Sequence, residues 1–148
     1  MTKRINVYSL EPAAYKALRG VEDYTRSSQL PVLLRELIKI RASQINGCAY
    51  CIDMHTQEAI KLGETPRRIF ALSAWKESPL FSDEERAVLQ LTEEVTFISS
   101  YGVSDATYNE ALKFYNENEL AQILMQIVVI NSWNRIAVST NQIFEPQK

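Results

Sequence analysis

Cys48, Cys51 and His55 are the only cysteines and the only histidine in a chain of 148 residues, and they fall within eight consecutive positions of the segment NGCAYCIDMH. Spaced at i, i+3 and i+7, they line one stripe if the segment is helical. Two cysteines at i and i+3 on a helix have Cα atoms within the roughly 4.4–6.8 Å span of a disulfide, so the pair could open and close without unfolding the helix. Cys48 follows Asn46-Gly47 at the start of such a helix, where unpaired N–H groups and the macrodipole favour a thiolate. Thiols in C-x-x-C settings titrate towards or below about 7 rather than at about 8.5, which brings the nucleophilic form to about half or more at neutral pH. His55 lies one turn beyond Cys51, where an imidazole could take the thiol proton. Upstream, Glu36 is the only acid in the apolar run from Pro31 to Ile45. A carboxylate facing the Cys–His pair across a helix–turn–helix would complete an acid/base relay.

Two other chemistries compete with a redox pair. Free cysteine is among the most buried residue types, so Cys48 and Cys51 could be small core hydrophobes. A zinc site needs four ligands, and Cys48, Cys51 and His55 supply three; Asp53 projects to another face, so closure would require Glu36 or a second subunit. Glu36 taken alone reads as a solvated charge on an amphipathic helix. Trp75, Trp133 and most of the tyrosines read as core or interface.

The elements that would position these residues are helices throughout. Ser9 precedes Leu10, Glu11 and Pro12, a helix start whose apolar positions continue through Leu18 and Val21. Pro31 opens a second segment in which Leu33, Leu34, Leu37, Ile38, Ala42 and Ile45 recur at helical spacing. Asn46-Gly47 interrupts it, and a third helix runs from Cys48 to Leu62 with Gly63 as its stop. Thr65-Pro66 starts a short segment through Trp75, Ser82 with Glu85 makes a capping box, Ser104 caps a further helix, and Glu119 begins a long last one. Asn131 and Asn134 in that last helix predict hydrogen bonds between helices or across a subunit boundary. Its ILMQIVVI stretch is core or oligomer interface. The prolines fall at helix starts, in connectors and in the terminal tail. The expectation is an all-α bundle of about six or seven helices, one domain over residues 1–148.

Composition narrows the function. Hydrophobic residues make up 46% and charged residues 23%, with a formal charge of -2, as in an ordinary globular protein. There is no basic run to bind nucleic acid. MTKRINVYSLEP lacks the apolar stretch of a secretory signal. The apolar-rich run Leu120 to Val138 is broken by six polar residues, too many for a membrane span. These features predict a cytoplasmic location, where a lone cysteine pair is more often catalytic, redox-sensing or metal-binding than a structural staple.

The segment ELIKIRASQINGCAYCIDMH resembles the signature of the carboxymuconolactone decarboxylase-like superfamily in its alkylhydroperoxidase D-like branch. That signature has a glutamate twelve residues before the first cysteine, then S-Q-x-N-G-C-x-x-C-x-x-x-H, matched here by Glu36, Ser43, Gln44, Asn46, Gly47, Cys48, Cys51 and His55. The late NSWNRIAV segment is also similar to the family's closing helix. The resemblance implies a thiol peroxidase with an alkylhydroperoxidase D-like fold, in which Cys51 attacks the peroxide, Cys48 donates a proton and closes the disulfide, and Glu36 and His55 form the proton relay. It implies no metal, flavin or haem, a hydroperoxide substrate, a dithiol or lipoyl-type reductant, and assembly as a trimer or hexamer. Where the best-known peroxidase of the branch has histidine before the second cysteine, this chain has Tyr50, which leaves the thiol chemistry intact. The lactone decarboxylase relatives lack the cysteine pair, so that activity is not supported. A non-catalytic redox-sensing or binding subunit with a reversible Cys48–Cys51 disulfide is the alternative.

Overall fold

A computed structural model describes residues 4–144; Met1–Lys3 of the N-terminal reading and Pro146 of the expected tail lie outside the described residues. The order is α1 (Val7–Leu10), α2 (Pro12–Ser27), α3 (Val32–Asn46), α4 (Ala49–Lys61), α5 (Pro66–Ala71) with a 3₁₀ turn (Leu72–Ala74), α6 (Asp83–Thr96), α7 (Ile98–Tyr101), α8 (Asp105–Leu112) and α9 (Glu117–Ser139). No strand occurs among the described residues. The all-α expectation holds, and seven of these helices are the ones anticipated. The other two, α1 and α7, are single turns of four residues, too short to show a period.

Most boundaries follow from their caps. Thr65, Ser82 and Ser104 each accept a backbone N–H at a helix start, and Ser82 with Glu85 closes a full capping box. Two starts differ from the expectation. Ser9 lies inside α1, its hydroxyl donating to Asn6 O, and α2 begins at Pro12 without a side-chain cap. The last helix begins at Glu117 because Asn116 is its cap, and Glu119 is the third residue of that capping box.

Helix α3 is the hub and packs against α4, α6 and α9. Leu34 and Ile38 join Val88, Leu91, Leu120, Ile123 and Ile127 of α6 and α9 in one apolar cluster. Leu37 and Ile40 join Ala59, Ile69, Leu72, Trp75 and Leu89 in another. Each fully buried leucine or isoleucine contributes about 1.5–3 kcal/mol, so α3 is held on two sides by apolar contact. Between those sides runs a polar stripe, Glu36, Lys39, Ser43 and Asn46, at helical spacing.

Candidate active site

The turn after α3 sets the geometry of the cysteine pair. Gly47 adopts φ 64°, its N–H reaching Gln44 O, while the Cys48 N–H donates to Ser43 O at 3.0 Å. This is a Schellman closure, which needs a residue tolerant of the left-handed region. Cys48 thereby closes α3 and caps α4 at once: its Sγ accepts the Cys51 N–H at 3.4 Å. The two sulfurs are paired as a disulfide with Cα atoms 5.4 Å apart. Cys48 is 1% exposed and Cys51 3%, but only Cys51 lines the neighbouring cavity.

His55 follows Cys51 by one turn of α4 and lines the same cavity. Its Nδ1 lies 2.9 Å from Glu36 Oε2, a contact across the α3–α4 turn. Burial alone would raise the Glu36 pKa, but the hydrogen bond with His55 and the positive charge of Lys39 outweigh it and hold the carboxyl below its ordinary value. An ionised Glu36 only accepts, so Nδ1 donates and Nε2 of a neutral imidazole keeps its lone pair. With Cys51 Sγ in the disulfide there is no thiol proton to transfer, and among the described residues the His55 ring bonds to Glu36.

Sequence reasoning missed the charges behind this pair. Lys39, 4% exposed, sits 3.0 Å from Glu36 Oε1 and 3.4 Å from Glu22 Oε1, and Arg26 reaches Glu22 at 3.4 Å. A row of alternating charge thus runs from α2 to His55. The rest of the α3 stripe is satisfied by α9. Asn46 donates to Asn131 Oδ1 at 3.0 Å and Asn134 Oδ1 at 2.9 Å, and Asn134 donates to Ser43 Oγ at 3.0 Å. Asn131 also donates to Thr96 of α6. Asn131 and Asn134 therefore bond between helices, as expected of them.

The cavity in front of Cys51 measures about 120 Å³. Cys51, His55, Met54 and Tyr50 of α4 lie on one side, Trp133 and Ala137 of α9 on another, and Tyr15, Arg19, Glu22 and Arg26 of α2 on a third. Trp133 is thus a wall residue rather than plain core, packed edge-on against Tyr15 at 5.0 Å between centroids. The α2 residues recur at i, i+4, i+7 and i+11, a pattern visible in the sequence but identical to that of a solvent face. Among the described residues, no three or more His, Cys, Asp or Glu side chains gather as a metal site would require. No helix among the described residues is long and apolar enough to cross a membrane.

Comparison with known proteins bears on the family and the fold. The model of the carboxymuconolactone decarboxylase family matches residues 12–94. An uncharacterised protein of Bacillus subtilis, YdfG, is 45% identical over 139 residues, 94% of this chain and 95% of its own. A solved structure from Agrobacterium tumefaciens, of unknown function and provisionally described as the antioxidant defence protein AhpD, superposes with a TM-score of 0.95 at 38% identity, over 99% of this chain and 100% of that one. The debrominase Bmp8, solved with 2,3,4-tribromopyrrole, has a TM-score of 0.83 at 18% identity, covering 93% of this chain and 73% of its own. At that identity the likeness is one of fold alone.

Proposed function

Since the chain belongs to the carboxymuconolactone decarboxylase family, we propose that it is a thiol-dependent peroxidase of the alkylhydroperoxidase D-like type, cycling Cys48 and Cys51 between dithiol and disulfide. The observation that carries this reading is the placing of Cys51 on the cavity, with Cys48 paired behind it and the His55–Glu36 couple one turn away.

In the reduced protein His55 Nε2 takes the Cys51 proton, and Glu36 steadies the imidazolium that forms. The thiolate attacks the terminal peroxide oxygen. The O–O bond breaks, Cys51 becomes a sulfenic acid, and the departing alkoxide takes a proton to leave as an alcohol. Cys48 then attacks the Cys51 sulfur, forming the disulfide and releasing water. An external dithiol, of protein or lipoyl type, reduces the disulfide and is itself oxidised. That supply of dithiol suits the cytoplasm. Exposed Phe70, Ile98 and Val128 suit further assembly, as a homo-oligomeric trimer or hexamer.

A redox-sensing role is favoured by one observation, the near-complete burial of both sulfurs. The test is steady-state consumption of an alkyl hydroperoxide by reduced protein with a dithiol in excess, scoring alcohol formed. The peroxidase reading expects many equivalents per chain, abolished in Cys51→Ser. Consumption that ceases after one equivalent despite the dithiol supports the sensor, and none at all rejects both.

A further inference from the structure

We propose that Arg19 forms an anion subsite in the wall of the Cys51 cavity, and that the preferred oxidant is a hydroperoxide whose apolar body carries a carboxylate. The proposal rests on the peroxidase reading and adds the substrate class.

The charges around the cavity are otherwise accounted for. Arg26 is engaged with Glu22, Glu22 also with Lys39, and Lys39 with Glu36, whose other oxygen faces His55. Arg19 lines the cavity and has no hydrogen bond or ion pair among the described residues. Three cations, Arg19, Arg26 and Lys39, thus stand against two carboxylates, Glu22 and Glu36. One positive charge is left over, and it is carried by the guanidinium that has no partner.

Arg19 shares this wall with aromatic and apolar side chains as well as with the paired charges. Tyr15 stands one turn before it on α2, Trp133 lies edge-on to Tyr15, and Tyr50 and Met54 line the same cavity as Cys51. A guanidinium offers a planar fork of donors that matches a carboxylate in bidentate fashion. Aromatic and thioether walls suit a hydrocarbon chain. A ligand with its carboxylate on Arg19 and its peroxide at Cys51 would satisfy both parts of the cavity. Glu22 lies in the same α2 stripe and would repel an anion, but Lys39 and Arg26 share its charge.

The experiment has one arm with turnover and one without. In the first, a carboxylate-bearing alkyl hydroperoxide is compared with its methyl ester. Because Arg19 is exposed, an ion pair there supports a preference of about two- to fivefold in kcat/KM for the acid, carried by KM and weakened by salt. Arg19→Gln should bring the acid-to-ester ratio to about one, and Arg19→Lys should keep part of it. In the second arm, hexanoate and 1-hexanol compete with iodoacetamide for Cys51 in the reduced protein, with hexanoate expected to protect better only while residue 19 is cationic. If neither hydroperoxide is consumed, the peroxidase reading has failed and the protection arm alone decides the subsite. An equal response to charged and neutral ligands, or a preference that survives Arg19→Gln, overturns the proposal. So does a charge preference found only when the disulfide is reduced by carboxylated and neutral dithiols, which would give the subsite to the reductant.

Discussion

Glu36 uses both carboxylate oxygens on buried partners, one on Lys39 and one on His55, so Glu36→Gln keeps the shape of the site and removes its charge. If the carboxylate orients the imidazole and the imidazole takes the Cys51 proton, Glu36→Gln and His55→Gln should each slow peroxide reduction at least about tenfold at pH 7. Both should also move the pH profile of Cys51 alkylation to higher pH. Because the two would act as a unit, the double variant should be little worse than the poorer single one. Wild-type behaviour from Glu36→Gln would remove it from the proton path, and losses that multiply would mean that the two act separately. The sulfurs have their own test. In Cys48→Ser, oxidation should leave a sulfenic acid on Cys51 that dimedone labels, because the resolving thiol is gone. A label on Cys48 in Cys51→Ser, with Cys51 inert in the reciprocal variant, would reverse the roles.

At the scale of elements, the α3–α4 junction does most to place the site, and much of it is legible in the sequence. Asn46-Gly47 ends one helical period before another begins, and Gly47 has the positive φ that such a break implies. An added Cβ at Gly47 would meet nothing within 4 Å, so Gly47→Ala should be destabilising by conformational strain alone, about 1–2 kcal/mol. Gly47→Asn should lose less, since asparagine tolerates that region. Urea midpoints for the two variants check this, and a much larger loss would point to a packing role for the glycine. Glu36, Ser43, Asn46 and His55 could be picked out because they share a motif. Lys39 and Glu22 could not, since a buried lysine three residues from a glutamate reads as an ordinary surface pair until α2 is known to cover it. Arg19 was hidden for the same reason: a polar stripe on a helix shows its period but not which neighbour it faces. The single turns α1 and α7 left no trace because four residues contain only one period.

For the whole molecule, the polar interior makes stability depend on acid. Glu36, Glu93 and Glu94 are all held below the ordinary glutamate value, in each case because hydrogen bonds and, for Glu36 and Glu93, neighbouring cations outweigh burial. The unfolded chain therefore binds protons more readily than the folded one, and the stabilisation is complete only above the unfolded pKa of about 4.5. These three carboxylates should lower the urea midpoint as the pH falls below about 4.5 through their folded pKa values. A midpoint that holds or rises towards pH 3 would contradict the assignment. The ILMQIVVI stretch serves two ends at this scale, with Ile123, Ile127 and Ile130 in the core while Met125 and Val128 are exposed.

If the proposed cycle operates, the two sulfurs form one intramolecular redox centre fed from the cavity. Fully reduced protein mixed anaerobically with a single equivalent of alkyl hydroperoxide, without added dithiol, tests it most directly. The expected result is one peroxide consumed and two thiols lost per chain, one alcohol formed, and no covalent dimer on a non-reducing gel. Peroxide left intact beside both free thiols, or thiol loss recovered mainly as disulfides between chains, would contradict it.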